Sequence, residues 1–356
     1  MITIAIGLSI FLLLVVLYLL FRIGTLASIF RGSSLRAAGT TKTSNNVNST
    51  LMLLFLVIGG AAFAWSFVDS WDDMNQPLAS VHGEWTDDLF WTTMIVIGIV
   101  FVITQILLFW YSYKYRHNDE KRAYYYPHNN KLEVIWTMIP AVVMALLVFA
   151  GWKTWTQITS AAPADAIVVE VMGKQFNWMV RYPGPDGKLG VTKTSLIDAT
   201  NEFGIDFSDP NAQDDIVNPL EIHIPKGKPV LFKIRSRDVI HSVFLPHFRQ
   251  KMDAVPGMPT KLWFVPTKTT YEMQNETGNP EFKYEIACTE ICGRGHFAMR
   301  YVVVVDEQED YEAWLEKQQA FAAQNPDVVA KFQSAAAQQP ATGGTAAATE
   351  VEKTEL

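Results

Sequence analysis

Cysteine is almost absent from this chain: it has two in 356 residues, Cys288 and Cys292. So small a supply excludes a fold stapled by a disulfide framework. No Cys-x-x-Cys-His occurs either, so no c-type haem is attached to this chain. Charge is also scarce, at 18% of residues, where about a quarter is usual in soluble proteins. A formal net charge of −7 excludes nucleic-acid binding, which needs clustered Lys and Arg on phosphates, and suits a basic protein partner. The opening Met1-Ile2-Thr3-Ile4 lacks a positive n-region and a small-residue cleavage site, so no secretory leader is expected.

Long uncharged runs are plentiful. Ile2 to Phe21, Leu51 to Val68, Leu89 to Tyr111 and Val134 to Trp152 are each long enough to cross a hydrocarbon core of about 30 Å as a helix. Four spans are therefore expected. Arg22, Arg31, Arg36 and Lys42 lie between the first two, and Lys114, Arg116, Lys121, Arg122 and Lys131 between the last two. Asp69, Asp72, Asp73, Glu84, Asp87 and Asp88 fill the middle loop without a Lys or Arg. Both basic loops belong in the cytoplasm by the positive-inside rule, so everything after Trp152 faces outward. The organisation expected is a helix pair over 1–70, an outward acidic loop over 71–88 and a helical hairpin over 89–155.

From Ala166 the pattern becomes short runs of alternating polarity, Ile167 to Met172, Gln175 to Tyr182, Leu220 to Ile224, Val230 to Ser236, Val239 to Phe244, Lys261 to Val265, Phe282 to Ala287 and Tyr301 to Val305. Gly and Pro turns separate them. Such strands with little helix predict an antiparallel sandwich or barrel over 156–306. A helix over 307–333 and a disordered tail over 334–356, rich in Ala, Gln and Thr, follow.

Both cysteines sit in Cys288-Thr-Glu-Ile-Cys292-Gly-Arg-Gly-His296-Phe-Ala-Met299. Thiolate, imidazole and thioether are ligands that copper selects over harder oxygen donors. Two thiolates this close can bridge two metal ions, and a further nitrogen ligand must then come from elsewhere. A disulfide or a redox dithiol competes for the cysteines. Zinc would favour cysteines two apart and no methionine.

The sequence resembles subunit II of the haem–copper cytochrome c oxidases over roughly Leu89 to Leu315. The family motif C-x-E-x-C-x3-H-x2-M is met by Cys288, Glu290, Cys292, His296 and Met299. Asp238-Val239-Ile240-His241-Ser242 matches the earlier histidine strand, and Glu133 to Pro140 the start of a membrane helix. The resemblance implies N-terminal transmembrane α-helices followed by an all-β, cupredoxin-like Greek-key barrel that carries a binuclear copper centre, CuA. It implies Cys288 and Cys292 as bridging thiolates and His241 and His296 as one ligand to each copper. Met299 and the carbonyl of Glu290 become weak ligands, and the Glu290 carboxylate a ligand to magnesium shared with subunit I. It further implies electron entry from a cytochrome c at the Gln175-Phe176-Asn177-Trp178 segment, and Glu133 at the mouth of a proton pathway. The partners implied are subunit I, with haem and CuB, subunit III, and cytochrome c or a tethered cytochrome c domain of a donor complex. The place implied is a bacterial plasma membrane, with the copper domain on the periplasmic side. Glu133 also suits a helix start, where the dipole favours an acid.

Three features depart from the family pattern or add to it. Phe176 stands where Trp is usual, keeping an apolar surface but losing the indole. The acids from Asp198 to Asp215, with no Lys or Arg among them, are expected to steer a basic cytochrome by long-range attraction. The first two spans, which have no counterpart in the simplest members, are expected either to dock another membrane protein or to serve as anchors. The competing function is a membrane-anchored copper chaperone for oxidase assembly, which also uses paired cysteines and a histidine. Met299, the strand-rich pattern and the spans oppose it. A quinol-oxidase subunit would have lost the ligands kept here.

Overall fold

The computed structural model describes residues 2–30, 42–118 and 120–338. It divides into two units, one of residues 1–75 and 91–146 and one of 76–90 and 147–356. The first unit is helical. Helices α1 (Ile2–Phe30), α2 (Lys42–Asp69), α4 (Val81–Lys114) and α5 (Asn130–Ile158) surround the short α3 (Trp71–Met74) in chain order. Over 44–69, 81–114 and 130–158 they are predominantly apolar, as a helix solvated by lipid requires. α2 and α4 meet through Phe55 on Phe109 and Phe63 on Phe101, with ring centroids 5.5 and 5.8 Å apart.

Among the described residues, three helices are long and apolar enough to cross a membrane: 44–69, 81–114 and 130–158. The fourth expected span, Ile2 to Phe21, falls in α1. The apolar stretch described in α1, Phe11–Gly24, is shorter than the roughly 17–25 residues a bilayer needs. The expected outward loop over 71–88 is corrected, since α3 and the first two turns of α4 occupy much of it. Its second half packs on the β-domain of its own unit. Ala79 N donates to His247 O at 2.8 Å, Ser80 Oγ to Phe248 O at 2.7 Å, and Arg249 Nε to Asp87 at 2.9 Å. Acids that suggested a solvated loop thus serve a helix start and an ion pair.

The β-domain is a cupredoxin-like sandwich of two five-stranded sheets, ordered β3-β2-β1-β5-β8 and β4-β10-β9-β6-β7. The strands are β1 (Ile167–Lys174), β2 (Asn177–Tyr182), β3 (Ile216–Val217), β4 (Ile222–Pro225), β5 (Val230–Ser236), β6 (His241–Leu245), β7 (Gln250–Ala254), β8 (Thr260–Phe264), β9 (Tyr284–Cys288) and β10 (Arg300–Asp306). The expected antiparallel arrangement holds for most pairs. It fails for β1 with β5 and β4 with β10, which run parallel, because the chain crosses between the sheets before it returns. Alternation along strands such as β9 sends Tyr284, Ile286 and Cys288 inward, where they join Trp178, Val243, Phe232 and Phe264 in one core.

Helix α6 (Thr270–Thr277) and strands β3 and β7 escaped the reading of the sequence, β3 being only two residues long. Helix α6 begins with a capping box, Thr269 accepting from Glu272 N and Glu272 from Thr269 N, and the Thr-x-x-Glu signature for it was visible. β7 alternates charged and apolar residues over only five positions. The single helix expected over 307–333 is instead α7 (Gln308–Glu316), α8 (Phe321–Gln324) and α9 (Pro326–Gln338). Pro326 begins α9 because its ring cannot continue α8. Residues 334–338, expected as the start of a disordered tail, belong to α9; 339–356 lie outside the described residues.

The acidic stretch Asp198–Asp215 is a folded part of the domain. Asp198 pairs with Lys331, Asp206 with Lys193 and Glu202 with Lys174, each at 2.5 Å. Asp209 and Asp214 accept from the backbone N–H of Val191 and Asp186. Four of its six acids, counting Asp215 with Arg181, thus have a cation beside them, which weakens the stretch as a steering surface. Beneath it, Phe203, Phe207 and Phe332 form a second core with Met172 and Met179.

Asp215, which is fully buried, meets Arg181 at 2.7 Å, and Arg181 also binds Glu170 at 2.5 Å. Replacing Arg181 by Ala leaves the buried Asp215 without its cation, while Glu170 keeps Arg235 at 2.6 Å. The expected loss of unfolding free energy in denaturant titration is about 3–5 kcal/mol; a change too small to resolve would show that the network does not hold the insertion.

Candidate metal centre

Three neighbouring strands of one sheet bring the soft ligands together. His241 opens β6, Cys288 closes β9 and Met299 immediately precedes β10. β6 and β10 both run antiparallel to β9, with Val243 opposite Cys288 and Arg300 opposite Ala287. The start of β6, the end of β9 and the start of β10 therefore lie at the same end of the sheet. Cys288 N donates to Met299 O at 3.1 Å and Thr289 N to Ser242 O at 3.2 Å, tying the loop ends to the ladder. Between them the chain makes a short loop that returns through the turn His296–Ala298.

Both cysteines are free and buried, with sulfurs 3.9 Å apart. Cys288 Sγ lies 3.9 Å from His241 Nδ1 and 3.3 Å from the carbonyl oxygen of Glu290. Cys292 Sγ lies 3.6 Å from His296 Nδ1 and 3.9 Å from Met299 Sδ. All six positions expected at the centre thus converge. His241, Cys288 and Cys292 present ligand atoms within 4.8 Å of one another. His241 is fully buried and Met299 is 1% exposed, while His296 keeps a partly open edge and the Glu290 side chain faces outward. A dry pocket with three sulfurs and two imidazole nitrogens fits copper better than a hard cation.

Several supporting residues were not assigned a role from the sequence. Asp238 Oδ1 faces His241 Nε2 at 2.9 Å, which leaves Nδ1 directed at the sulfurs. Partial burial pushes the Asp238 carboxyl up, but hydrogen bonds from Gln175 N, His241 and Val239 N outweigh it and hold the group below its ordinary range. The carboxylate then holds the imidazole by its outer nitrogen and so fixes which way the ring turns. Gly173 makes room for the same ring, since a Cβ there would stand 2.7 Å from His241 Cδ2. The Asp238-to-Ser242 motif was the available signal for Asp238. Nothing in the local pattern marked Gly173, which lies on another strand.

Of the residues expected at electron entry, Phe176 is 41% exposed and Trp178 only 1%. The inclusion of Trp178 in an entry surface is corrected: β2 turns it into the core, its ring 5.9 Å from that of His241. Ile291 and Phe297, which the sequence reading left aside, are among the most exposed apolar side chains, at 84% and 81%. Both sit on the cysteine loop. Glu133 lies in the first turn of α5, away from these residues in the chain.

Residues 69–153 match the family model for the cytochrome c oxidase subunit II transmembrane domain, and 167–306 the model for its periplasmic domain. An alternative cytochrome c oxidase subunit 2 of Bradyrhizobium diazoefficiens is 36% identical over 288 residues, covering 80% of this chain and 98% of that one. The chain belongs to the cytochrome c oxidase subunit II family. A cytochrome c oxidase subunit 2 of Thermostichus vulcanus is 31% identical over 66% of this chain and 76% of its own length. The solved periplasmic domain of subunit II of the Bradyrhizobium japonicum cytochrome oxidase is 24% identical, covering 44% of this chain and 95% of that one, with a TM-score of 0.30. As a family member the chain is an electron-transfer subunit of a haem–copper oxidase complex, with multiple membrane spans and a periplasmic C-terminal domain.

Burial, together with the neighbouring Cys288, pushes the Cys292 thiol up to about 11. At neutral pH the thiol is therefore protonated, and a metal must displace the proton to bind. Copper affinity should rise with pH across the neutral range, by about tenfold per pH unit for each proton released. Competition against a chelator of known pH dependence checks this; an affinity independent of pH would contradict it.

Proposed function

We propose that this chain holds a binuclear copper centre, takes single electrons from a cytochrome c and passes them to haem in subunit I of a proton-pumping oxidase. The observation that carries the reading is the pair of free, buried thiols 3.9 Å apart, each with its own imidazole nitrogen within 3.9 Å. Cys288 and Cys292 would bridge the two coppers, with His241 on one and His296 on the other. Met299 and the Glu290 carbonyl would complete the set as weak ligands. The copper pair, when bound, supplies reversible one-electron chemistry.

The chain's own residues do the rest. Trp178, Val243 and the buried sulfurs keep water from the centre, so a charge change there requires little solvent to reorganise. Asp238 fixes the His241 ring. Phe176 offers an apolar contact where an electron donor, either a soluble cytochrome c or a tethered cytochrome domain, would come close. The outward carboxylate of Glu290 would reach a magnesium ion shared with subunit I. Glu133, at a helix start on the side of the basic loop, would admit protons to subunit I, and subunit III would complete the complex. We assign α1 as a fourth span, which with α2 would dock a further membrane component or anchor the chain. The β-domain would form the Greek-key barrel of the family.

In the assembled oxidase, Cys292→Ser should slow reduction of haem by ferrocytochrome c by at least about a hundredfold, since losing a residue that merely orients a metal ligand already costs about 10–100-fold. Reduction by a small-molecule dye should persist. Rapid-mixing absorbance spectroscopy measures both, and an unchanged rate from cytochrome c would refute the role. Glu133→Gln should lower turnover and proton pumping in vesicles while leaving copper content intact; unchanged pumping would remove Glu133 from the proton path.

A further inference from the structure

The turn Gln175-Phe176 between β1 and β2 carries no ligand to a metal, yet it touches both ligand-bearing parts of the centre. Gln175 Nε2 donates to the carbonyl of Cys292 at 2.6 Å. The backbone N–H of the same residue donates to Asp238 Oδ2 at 2.7 Å, and Asp238 Oδ1 faces His241 Nε2 at 2.9 Å. The ring of Phe176 packs against the cysteine loop at Gly293 and Gly295. A Cβ on Gly295 would stand 2.5 Å from that ring and one on Gly293 2.9 Å, so glycine there lets the loop backbone rest on the ring. Gly293 also has φ +133, a conformation that favours glycine.

The turn is braced in its own right. Glu202, on the insertion between β2 and β3, pairs with Lys174 at 2.5 Å and with Arg237 at 3.4 Å. Arg237 N donates to Gly173 O at 2.9 Å. The end of β1 is thereby pinned to the segment that carries Asp238. β1 and β2 belong to one sheet and β6, β9 and β10 to the other, so these hydrogen bonds join the two sheets at the mouth of the centre.

We propose that Gln175 is a positioning residue that locks the cysteine loop to the His241 side of the centre, with Phe176 as the floor of that loop. The metal arm of the test rests on the copper reading above; a metal-free arm does not. Without the Gln175 side-chain donor the Cys292 carbonyl is released and the turn can shift, so both halves of the site loosen together. Phe176 then has a structural duty beside any part in electron entry, which explains why an aromatic is kept there with the indole gone.

Gln175→Glu keeps the length and shape of the side chain and removes the N–H donor, while Gln175→Ala removes both. Circular dichroism and melting of each full-length variant first establish that the domain is folded. In the metal-free protein, the Cys292 thiol of Gln175→Glu should react with a thiol reagent severalfold faster than in the unaltered chain. In the copper-loaded protein, copper should be lost to a chelator about 10–100-fold faster. The hyperfine couplings of the two coppers should become unequal, and the nitrogen coupling from His241 should change although Gln175 does not contact it. A folded Gln175→Glu variant with unaltered thiol reactivity, copper loss and couplings would overturn the proposal. If the unaltered chain binds no copper pair, the copper reading fails, and thiol reactivity alone decides the role of the turn.

Discussion

Two thiols held 3.9 Å apart inside a protein would ordinarily be drawn into a disulfide once oxidised, and the rest of this domain is arranged around keeping them as separate ligands. Their separation is set by the β9 end on one side and the loop leading to β10 on the other. The Met299 carbonyl and Cys288 N–H close the ladder between those strands. Burial disfavours the thiolate of Cys292 until a cation arrives to take the proton's place. The sheet fixes where the sulfurs lie, and the dryness of the pocket selects for a metal that tolerates neutral and soft donors.

A second constraint follows from where the ligands come from. His241 is 47 positions from Cys288 in the chain, and its ring must still meet the sulfurs with one nitrogen and be held by the other. Gly173 and Trp178 shape the space, and Asp238 sets the ring's orientation. Each belongs to a different stretch of the chain from the cysteine loop. The sandwich functions as a frame of rigid strands on which short loops carry the chemistry. Its insertion and C-terminal helices add a second core, secured by the Lys331–Asp198 pair and by Phe332 against Phe207.

The parts of this arrangement that were legible in the sequence are those written in contiguous residues. The Cys288-to-Met299 stretch and the Asp238-to-Ser242 stretch named all six positions that converge at the centre, and period-two alternation located most strands. The parts that were not legible depend on residues far apart. Parallel pairing of β1 with β5 leaves no local mark, because alternation reports which face is buried and not which neighbour is beside it. Trp178 looked like a surface partner of Phe176 until the strand's facing was known. Four of the six acids of 198–215 looked free because their cations, Lys193, Lys174, Arg181 and Lys331, lie outside the stretch. Likewise the acids of 71–88 read as loop, although Asp87 pairs with Arg249.

The central claim is that Cys288 and Cys292 together hold a pair of coppers. The direct test is copper analysis of the purified full-length protein, paired with electron paramagnetic resonance of the same sample. The expected result is a copper pair for each chain and the hyperfine pattern of one unpaired electron shared equally by two copper nuclei. A single copper with the pattern of one nucleus, or none with Cys288 and Cys292 joined as a disulfide, would contradict the account.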